Sequence, residues 1–345
     1  MSRDRRSRPP VPMPIGALVE PVYRRVVAQR NRSFDAGRRV ERVDRPVISV
    51  GNLSVGGTGK TPVVAMVVRM LREAGHEPGI AMRGYKAGAG RKSDEELEYK
   101  ASCPGTPVAA QPDRVAGATK LIDTHGCSCI VLDDGFQHRF LDRDLDIVLL
   151  DATRDVFADR CLPAGWLREP VDSLDRADIA ILTHAEGVDE RRLEAMTSRL
   201  HERFPRLGVV VSEHSWTALI DLEGRRQSPA GFEGETVTLA SGIGNPSAFE
   251  AMARRNGLEV RSHMIMPDHH DWSRTDLDRL RRAAPEGVIL TTRKDWVKIE
   301  RLNHPLLDRM LVAEVSIALR DEAGDLRDAV LKAAASPDRL QSPRG

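Results

Sequence analysis

The sequence predicts an α/β fold: a doubly wound, mostly parallel sheet, followed by a second, smaller α/β domain. Three observations carry this. Short β-branched apolar runs recur from Arg45 onward, amphipathic stretches separate them, and a glycine-rich turn joins the first run to the first stretch.

In chain order, the strand candidates of the first domain are PVISV (46–50), PGIAM (78–82), CIVLD (129–133), DIVLLD (146–151), DIAILT (178–183) and GVVVS (208–212). None alternates apolar with polar, as expected of strands covered on both faces. Helical periodicity fills 62–74, closed by Gly75, and 191–204. After a turn-rich stretch at 224–234 a second series begins: VTLAS (237–241), GLEVRS (257–262), GVILT (287–291) and LVAEVSI (311–317), with helices near 247–256 and 275–284. The expected organisation is therefore an amino-terminal arm over 1–45, a nucleotide-binding domain over 46–232, a smaller domain over 233–335 closing over the active site, and a disordered tail over 336–345. The opening MSRDRRSRPPVPMP is also expected to be disordered.

A chain of 345 residues, 41% hydrophobic and 30% charged, suits about two domains of an ordinary globular protein. No run approaches the roughly 18 apolar residues of a spanning helix, and no apolar core follows the opening arginines, which leaves the start uninformative for secretion. The four cysteines lack metal or disulfide spacing, and a reducing cytoplasm fits them. Cys127 and Cys129 fall on one face of a buried strand and are expected in the core.

The net charge of +1 conceals an asymmetry, because residues 1–45 hold twelve arginines against five acids. Within that arm Ile15, Leu18, Val19, Val22, Tyr23, Val26 and Val27 recur at helical spacing beside Arg24, Arg25, Arg30 and Arg32. Such a segment can lie in a lipid headgroup layer. It can equally dock on its own domain. Nucleic acid is not expected as a partner, since the basic excess is confined to the arm.

The stretch VISVGNLSVGGTGKTPVVAMVVRMLREAG carries the most chemistry. Gly56, Gly57 and Gly59, with Thr58 between them, let the backbone curl so that several N–H groups converge on phosphate oxygens, and the following helix adds its dipole. Lys60 is placed to neutralise the β- and γ-phosphates of ATP, and the Thr61 hydroxyl to ligate Mg²⁺. This strand–loop–helix makes the first sheet one of phosphate-loop NTPase type. Ser54 departs from the usual glycine at the start of the loop. In CIVLDDGFQHR, Asp133 and Asp134 stand where an apolar strand runs out, at the sheet edge where ligands bind, and a carboxylate such as Asp133 can hold Mg²⁺ there. Taken alone, two adjacent aspartates fit a helix cap or a turn equally well.

Together these motifs resemble the tetraacyldisaccharide 4'-kinase (lipid A 4'-kinase) family. GNLSVGGTGKTP is followed in the family's order by RGY (83–85), SDE (93–95), DR (113–114), DDGFQHR, RDLDIVLLD, LPAGWLREP, GIGNP (242–246), PDHH (267–270) and TTRKDWVK (291–298). The resemblance implies transfer of the ATP γ-phosphate to the 4'-hydroxyl of a lipid A disaccharide precursor by a peripheral protein at the cytoplasmic face of the inner membrane. It also implies that Asp94 is the catalytic base and His269 its partner, with His270 as the other possibility. Asp133 and Asp134 match the family's acidic pair, and Arg83, Tyr85, Arg114, Gln137, His138 and Glu169, the last beside Arg168, lie near substrate. A carboxylate within reach can accept the proton of a sugar hydroxyl, and a histidine beside it can orient it. Without the resemblance, Asp94 reads as a solvated residue of a polar run.

Two departures from the family stand out: Arg293 and Trp296 replace an acid and a small residue, and the arm is richer in arginine. Trp166 and Trp272 fit a lipid groove or simple packing. Two rival readings share the loop. A partition-type ATPase switch requires a lysine where Val55 stands, and a GTPase requires a lysine where Arg293 stands. Neither predicts DDGFQH.

Overall fold

A computed structural model describes residues 9–56, 59–84, 94–268, 270–320 and 323–335. The chain runs α1 (Met13–Asp35), β1 (Val47–Asn52), α2 (Lys60–Glu73), β2 (Pro78–Met82), α3 (Asp94–Ser102), β3 (Val108–Ala110) and α4 (Arg114–His125). It continues through β4 (Cys129–Asp133), β5 (Leu145–Asp151), β6 (Ile179–Thr183), α5 (Glu190–Arg203), β7 (Gly208–Ile220), β8 (Arg226–Gln227) and β9 (Thr236–Ser241). The last elements are α6 (Pro246–Arg255), β10 (Glu259–Ile265), α7 (Arg274–Ala283), β11 (Val288–Thr292), α8 (Arg293–Ile299), β12 (Met310–Leu319) and α9 (Ala323–Ala334).

Two compact units divide the chain, one formed by His214–Ile317 and the larger by the residues before and after it. In the larger unit the strands lie in the order β7–β6–β5–β1–β4–β2–β3, and all these pairings are parallel. Strands β1, β2, β4, β5 and β6 are buried along their whole length, which explains their unbroken apolar runs. Central β1 pairs with β4 on one side and β5 on the other, with Val50 opposite both Asp133 and Ile147. A parallel sheet delivers every carboxyl end to one edge, so the segments after β1, β2 and β4 share it. Leu53, Phe136, Val148, Leu150 and Leu182 fill the core on one side, and Ala81, Leu121, Ile130 and Leu132 on the other.

The arm is helical, and its two faces have different fates. Glu20, Val27 and Phe34 are buried. The Glu20 carboxylate accepts hydrogen bonds from Arg160 Nε at 2.7 Å and the Cys161 amide at 3.1 Å, while the Tyr23 hydroxyl donates to the Arg168 carbonyl at 2.8 Å. On the opposite face Ile15, Leu18, Val22 and Val26 stay 59–79% exposed. Among the described residues no helix is long and apolar enough to cross a membrane.

In the smaller unit β10–β9–β11–β12 are parallel, and the outer part of β7 pairs antiparallel with β8. Trp272, Leu277, Leu280, Trp296 and Val312 pack in one of its cores, so Trp272 and Trp296 are packing residues here.

The expected boundary at 232 is displaced. The chain passes between units inside β7, at Glu213–His214, and returns inside β12, at Ile317–Ala318. Turn-forming residues at 224–234 mark the β7–β8 hairpin rather than a linker, and a crossing inside a continuous strand leaves no turn signal. Helix α9, expected in the smaller domain, therefore belongs to the larger unit, where Leu326 and Val330 are fully buried and Arg327 pairs with Glu73 of α2 at 3.0 Å. The tail at 336–345 and residues 1–8 of the opening lie outside the described residues.

Candidate active site

The glycine loop leaves β1 along a path that explains Ser54. The Val55 amide donates to the Trp166 carbonyl at 2.8 Å, the Arg168 amide to the Leu53 carbonyl at 2.8 Å, and Ser54 bridges Leu167. This part of the loop is held extended against 166–168, a conformation any residue adopts, so no glycine is required at 54. Positive φ begins later, at Gly56 (118°) and at Gly59 (78°), the residue preceding α2. There only glycine is unstrained. Gly57 and Thr58 lie outside the described residues. Lys60 and Thr61 open α2, placing both side chains beside the helix's positive end.

One strand over, β4 ends at Asp133. This carboxyl is 7% exposed, and its Oδ1 is a buried atom with no hydrogen-bond partner. Burial pushes its pKa up to about 7 against the pull of the Lys60 ammonium. Asp134 is different. Its backbone takes φ 55°, a conformation costly for a non-glycine residue, and this turn aims its carboxylate at cations. Arg168 Nη1 bonds both oxygens, at 2.8 and 2.9 Å, and Lys60 Nζ lies 3.4 Å from Oδ1. Burial raises its pKa, but Lys60 and Arg168 outweigh it and hold the carboxylate below its ordinary value. Two neighbouring aspartates thus have opposite electrostatics, set by which one the cations reach.

The rest of DDGFQH buttresses the loop. A Cβ at Gly135 would fall on Ser49 Oγ and 2.8 Å from Leu132 Cδ2, so only glycine lets the turn pass beneath β1. Gly135→Ala should cost roughly 1–3 kcal/mol of stability. A thermal unfolding midpoint unchanged from wild type would contradict this. Gln137 Nε2 donates to the Asn52 carbonyl at 3.0 Å and its Oε1 accepts from Arg168 at 3.2 Å, tying the motif to the end of β1 and to the 166–168 segment. His138 is pushed down to about 4, first by burial and then by Arg114 and Arg143, so its ring is neutral near pH 7.

Arg114 is 5% exposed at the first turn of α4, whose N-cap is Asp113 accepting from the Ala116 amide at 3.0 Å. Arg83 is exposed just after β2. Gly84 has φ 67° and so tight an approach that a Cβ would lie 2.9 Å from the Ala110 carbonyl. Tyr85 and His269 lie outside the described residues, as does the side chain of Asp94, whose backbone starts α3.

Glu169 requires a correction. Expected at the substrate, it is fully buried, and its carboxylate accepts from Arg176 at 3.0 Å, Asn31 at 2.6 Å, Ser173 at 3.2 Å and Arg30 at 3.4 Å. No face remains for a ligand. It ties α1 to the segment that delivers Arg168 to Asp134, a role invisible in sequence because its partners lie up to 139 residues away. Arg168, which the sequence allows as a clamp on a phosphate or as a structural ion pair, makes an ion pair with Asp134 here.

In the smaller unit three motifs meet at buried Asp295. It accepts from Trp272 Nε1 at 2.9 Å, the Gly242 amide at 3.0 Å and Thr292 Oγ1 at 2.6 Å, joining PDHHDW, GIGNP and TTRKDW structurally. His270 Nε2 is engaged by Asp276 at 3.1 Å. The unusual Arg293 lies 4.0 Å from Glu314.

Comparison with known proteins agrees over most of the chain. Residues 14–335 match the family model described as tetraacyldisaccharide-1-P 4'-kinase. A relative named tetraacyldisaccharide 4'-kinase from Anaeromyxobacter dehalogenans (strain 2CP-C) is 36% identical, covering 89% of each chain. One of the same name from Bordetella petrii is also 36% identical, covering 81% of each. A crystal structure of the "apo" form of LpxK from Aquifex aeolicus in complex with ATP superposes with a TM-score of 0.73 at 27% identity, covering 92% of this chain and 98% of that one.

Proposed function

The chain belongs to the tetraacyldisaccharide-1-P 4'-kinase family, and on that basis we propose that it transfers the γ-phosphate of ATP to the 4'-hydroxyl of a tetraacylated glucosamine disaccharide 1-phosphate. The observation that carries the reading is the placement of Gly59, Lys60 and Thr61, at the start of α2, beside the end of β4, where Asp133 and Asp134 stand. Loop amides and the α2 terminus cradle the phosphates, and Lys60, now held by Asp134, counters the charge of the outermost ones. Asp94 accepts the proton of the sugar hydroxyl. With His270 committed to Asp276, the partner role is assigned to His269. Arg83, Tyr85, Arg114, Gln137 and His138 are assigned to the substrate end, where the neutral His138 ring offers hydrogen bonds without charge.

Thr61 and Asp133 fit Mg²⁺: both offer hard oxygen ligands, and Asp133 Oδ1 is a buried acceptor awaiting a partner. Thr61 and Asp133 would hold the ion, which would supply positive charge to the phosphate oxygens. The test is turnover of purified protein with ATP and a lipid A disaccharide precursor, reading the new 4'-phosphate. ATP hydrolysis indifferent to lipid would overturn the reading. The switch alternative has no support in the relatives, and Val55 occupies its lysine position.

The exposed stripe of α1, flanked by Arg25 and Arg32, supports attachment to the cytoplasmic surface of the inner membrane. Leu18→Ser with Val22→Ser should lower partitioning onto anionic vesicles about 10-fold or more. Unchanged co-sedimentation would place the contact elsewhere. Point substitutions suit this test better than deletion of the arm, because Glu20, Tyr23 and Asn31 are built into the larger unit.

A further inference from the structure

We propose that Tyr23, on the arm helix α1, is a positioning residue for phosphoryl transfer: its hydroxyl fixes the Arg168 peptide, so that the guanidinium keeps hold of Asp134 and leaves Lys60 to the nucleotide. The proposal rests on the reading that Lys60 serves the phosphates of ATP.

The arm docks through one face. Gly16, Glu20, Tyr23, Val27 and Asn31 follow one another at spacings of three or four residues, the period that puts side chains on one side of a helix. Gly16 comes so close to the segment 160–169 that a Cβ would lie 2.9 Å from Ala164 Cα. Glu20 binds Arg160 and the Cys161 amide, and Asn31 Nδ2 donates to Glu169 at 2.6 Å. Between them Tyr23 packs on the core that includes Leu53 and Leu167, and its hydroxyl donates to the Arg168 carbonyl at 2.8 Å. The same segment holds the start of the phosphate loop, with the Val55 amide on the Trp166 carbonyl and the Arg168 amide on the Leu53 carbonyl, both at 2.8 Å. Segment 160–169 therefore joins the arm to the loop.

Arg168 is where the two sets of contacts meet. Its carbonyl takes the Tyr23 hydroxyl, and its guanidinium clasps both oxygens of Asp134, at 2.8 and 2.9 Å, while Lys60 stands 3.4 Å away. The guanidinium charge offsets part of the pull that Asp134 exerts on the Lys60 ammonium. With Arg168 displaced, that pull acts in full and draws the ammonium away from the phosphates. Phenylalanine would serve packing at position 23, so the hydroxyl bond to Arg168 is what tyrosine adds there.

Tyr23→Phe removes the hydroxyl and keeps the ring. Calorimetric ATP binding without lipid should weaken about 5-fold, the scale of one lost hydrogen bond. In turnover, kcat/KM for ATP should fall by a similar factor with KM for the lipid unchanged, which separates the effect from any contact of the arm with a membrane. On an Arg168→Gln background Tyr23→Phe should change ATP affinity less than about 2-fold, because no guanidinium is left to position. A loss that persists in full there would overturn the route through Arg168. Wild-type ATP affinity in Tyr23→Phe, whatever its melting temperature, would overturn the positioning role while the Lys60 reading stands. Lys60→Ala is the reference: if it too binds ATP as wild type does, the Lys60 reading falls and the proposal with it.

Discussion

Lys60→Ala should lower kcat/KM for lipid phosphorylation roughly 10³-fold, as expected when a preorganised cation facing developing charge is removed. Arg168 cannot take its place, because it is committed to both oxygens of Asp134 and to Gln137. The fold should survive: Lys60 is partly exposed, its contact with Asp134 is the longer of that carboxylate's two ion pairs, and the shorter remains. Lys60→Arg should not restore turnover, since a planar guanidinium does not reproduce a compact ammonium at the head of a helix. Turnover within tenfold of wild type, with an unchanged melting temperature, would contradict the role assigned to the loop.

Asp94→Ala should reduce kcat by about 10²–10⁴-fold, the range spanned by general base catalysis, while ATP affinity stays close to wild type. The separation arises because Asp94 opens α3, whereas the phosphate loop leads into a different helix, α2. ATP affinity can be read by calorimetry and transfer by the appearance of 4'-phosphate. An equal loss of both would show that the residue supports nucleotide binding and would remove the base assignment.

The buried polar seam around Glu169 gives the arm a structural role. Asn31 and Tyr23 of α1 hold the segment 168–169, and Arg168 continues to Asp134 and Gln137. A carboxylate so enclosed is stable only because several donors share its charge, and removing one leaves a buried charge short of partners. The exposed stripe and this seam occupy different faces of one helix, so the stripe proposed for lipid can be altered without touching the seam.

Much of the fold was legible in the sequence because its signals are local. Strands β1, β2, β4, β5 and β6 appear within a residue or two of their apolar runs, since a strand covered on both faces needs nothing but apolar residues. The phosphate loop was legible for the same reason: positive φ, an ammonium and a hydroxyl must follow one another along the chain to meet one ligand. Asp94 and His269 are assigned through kinship alone, because a carboxylate in a polar run has no local mark. The domain boundary was misread because hairpin and linker share turn residues, whereas a crossing within a strand shares them with neither.

Residues adjacent in the chain were enough to establish the sheet, the glycine-rich loop, the acidic strand end and the family. Folding in three dimensions was needed to settle that Asp134 rather than Asp133 makes the ion pairs, and that Glu169 is buried among donors from distant segments. These are matters of which distant side chains share a low-dielectric space, and the energy of a buried charge depends on that company rather than on its neighbours in sequence.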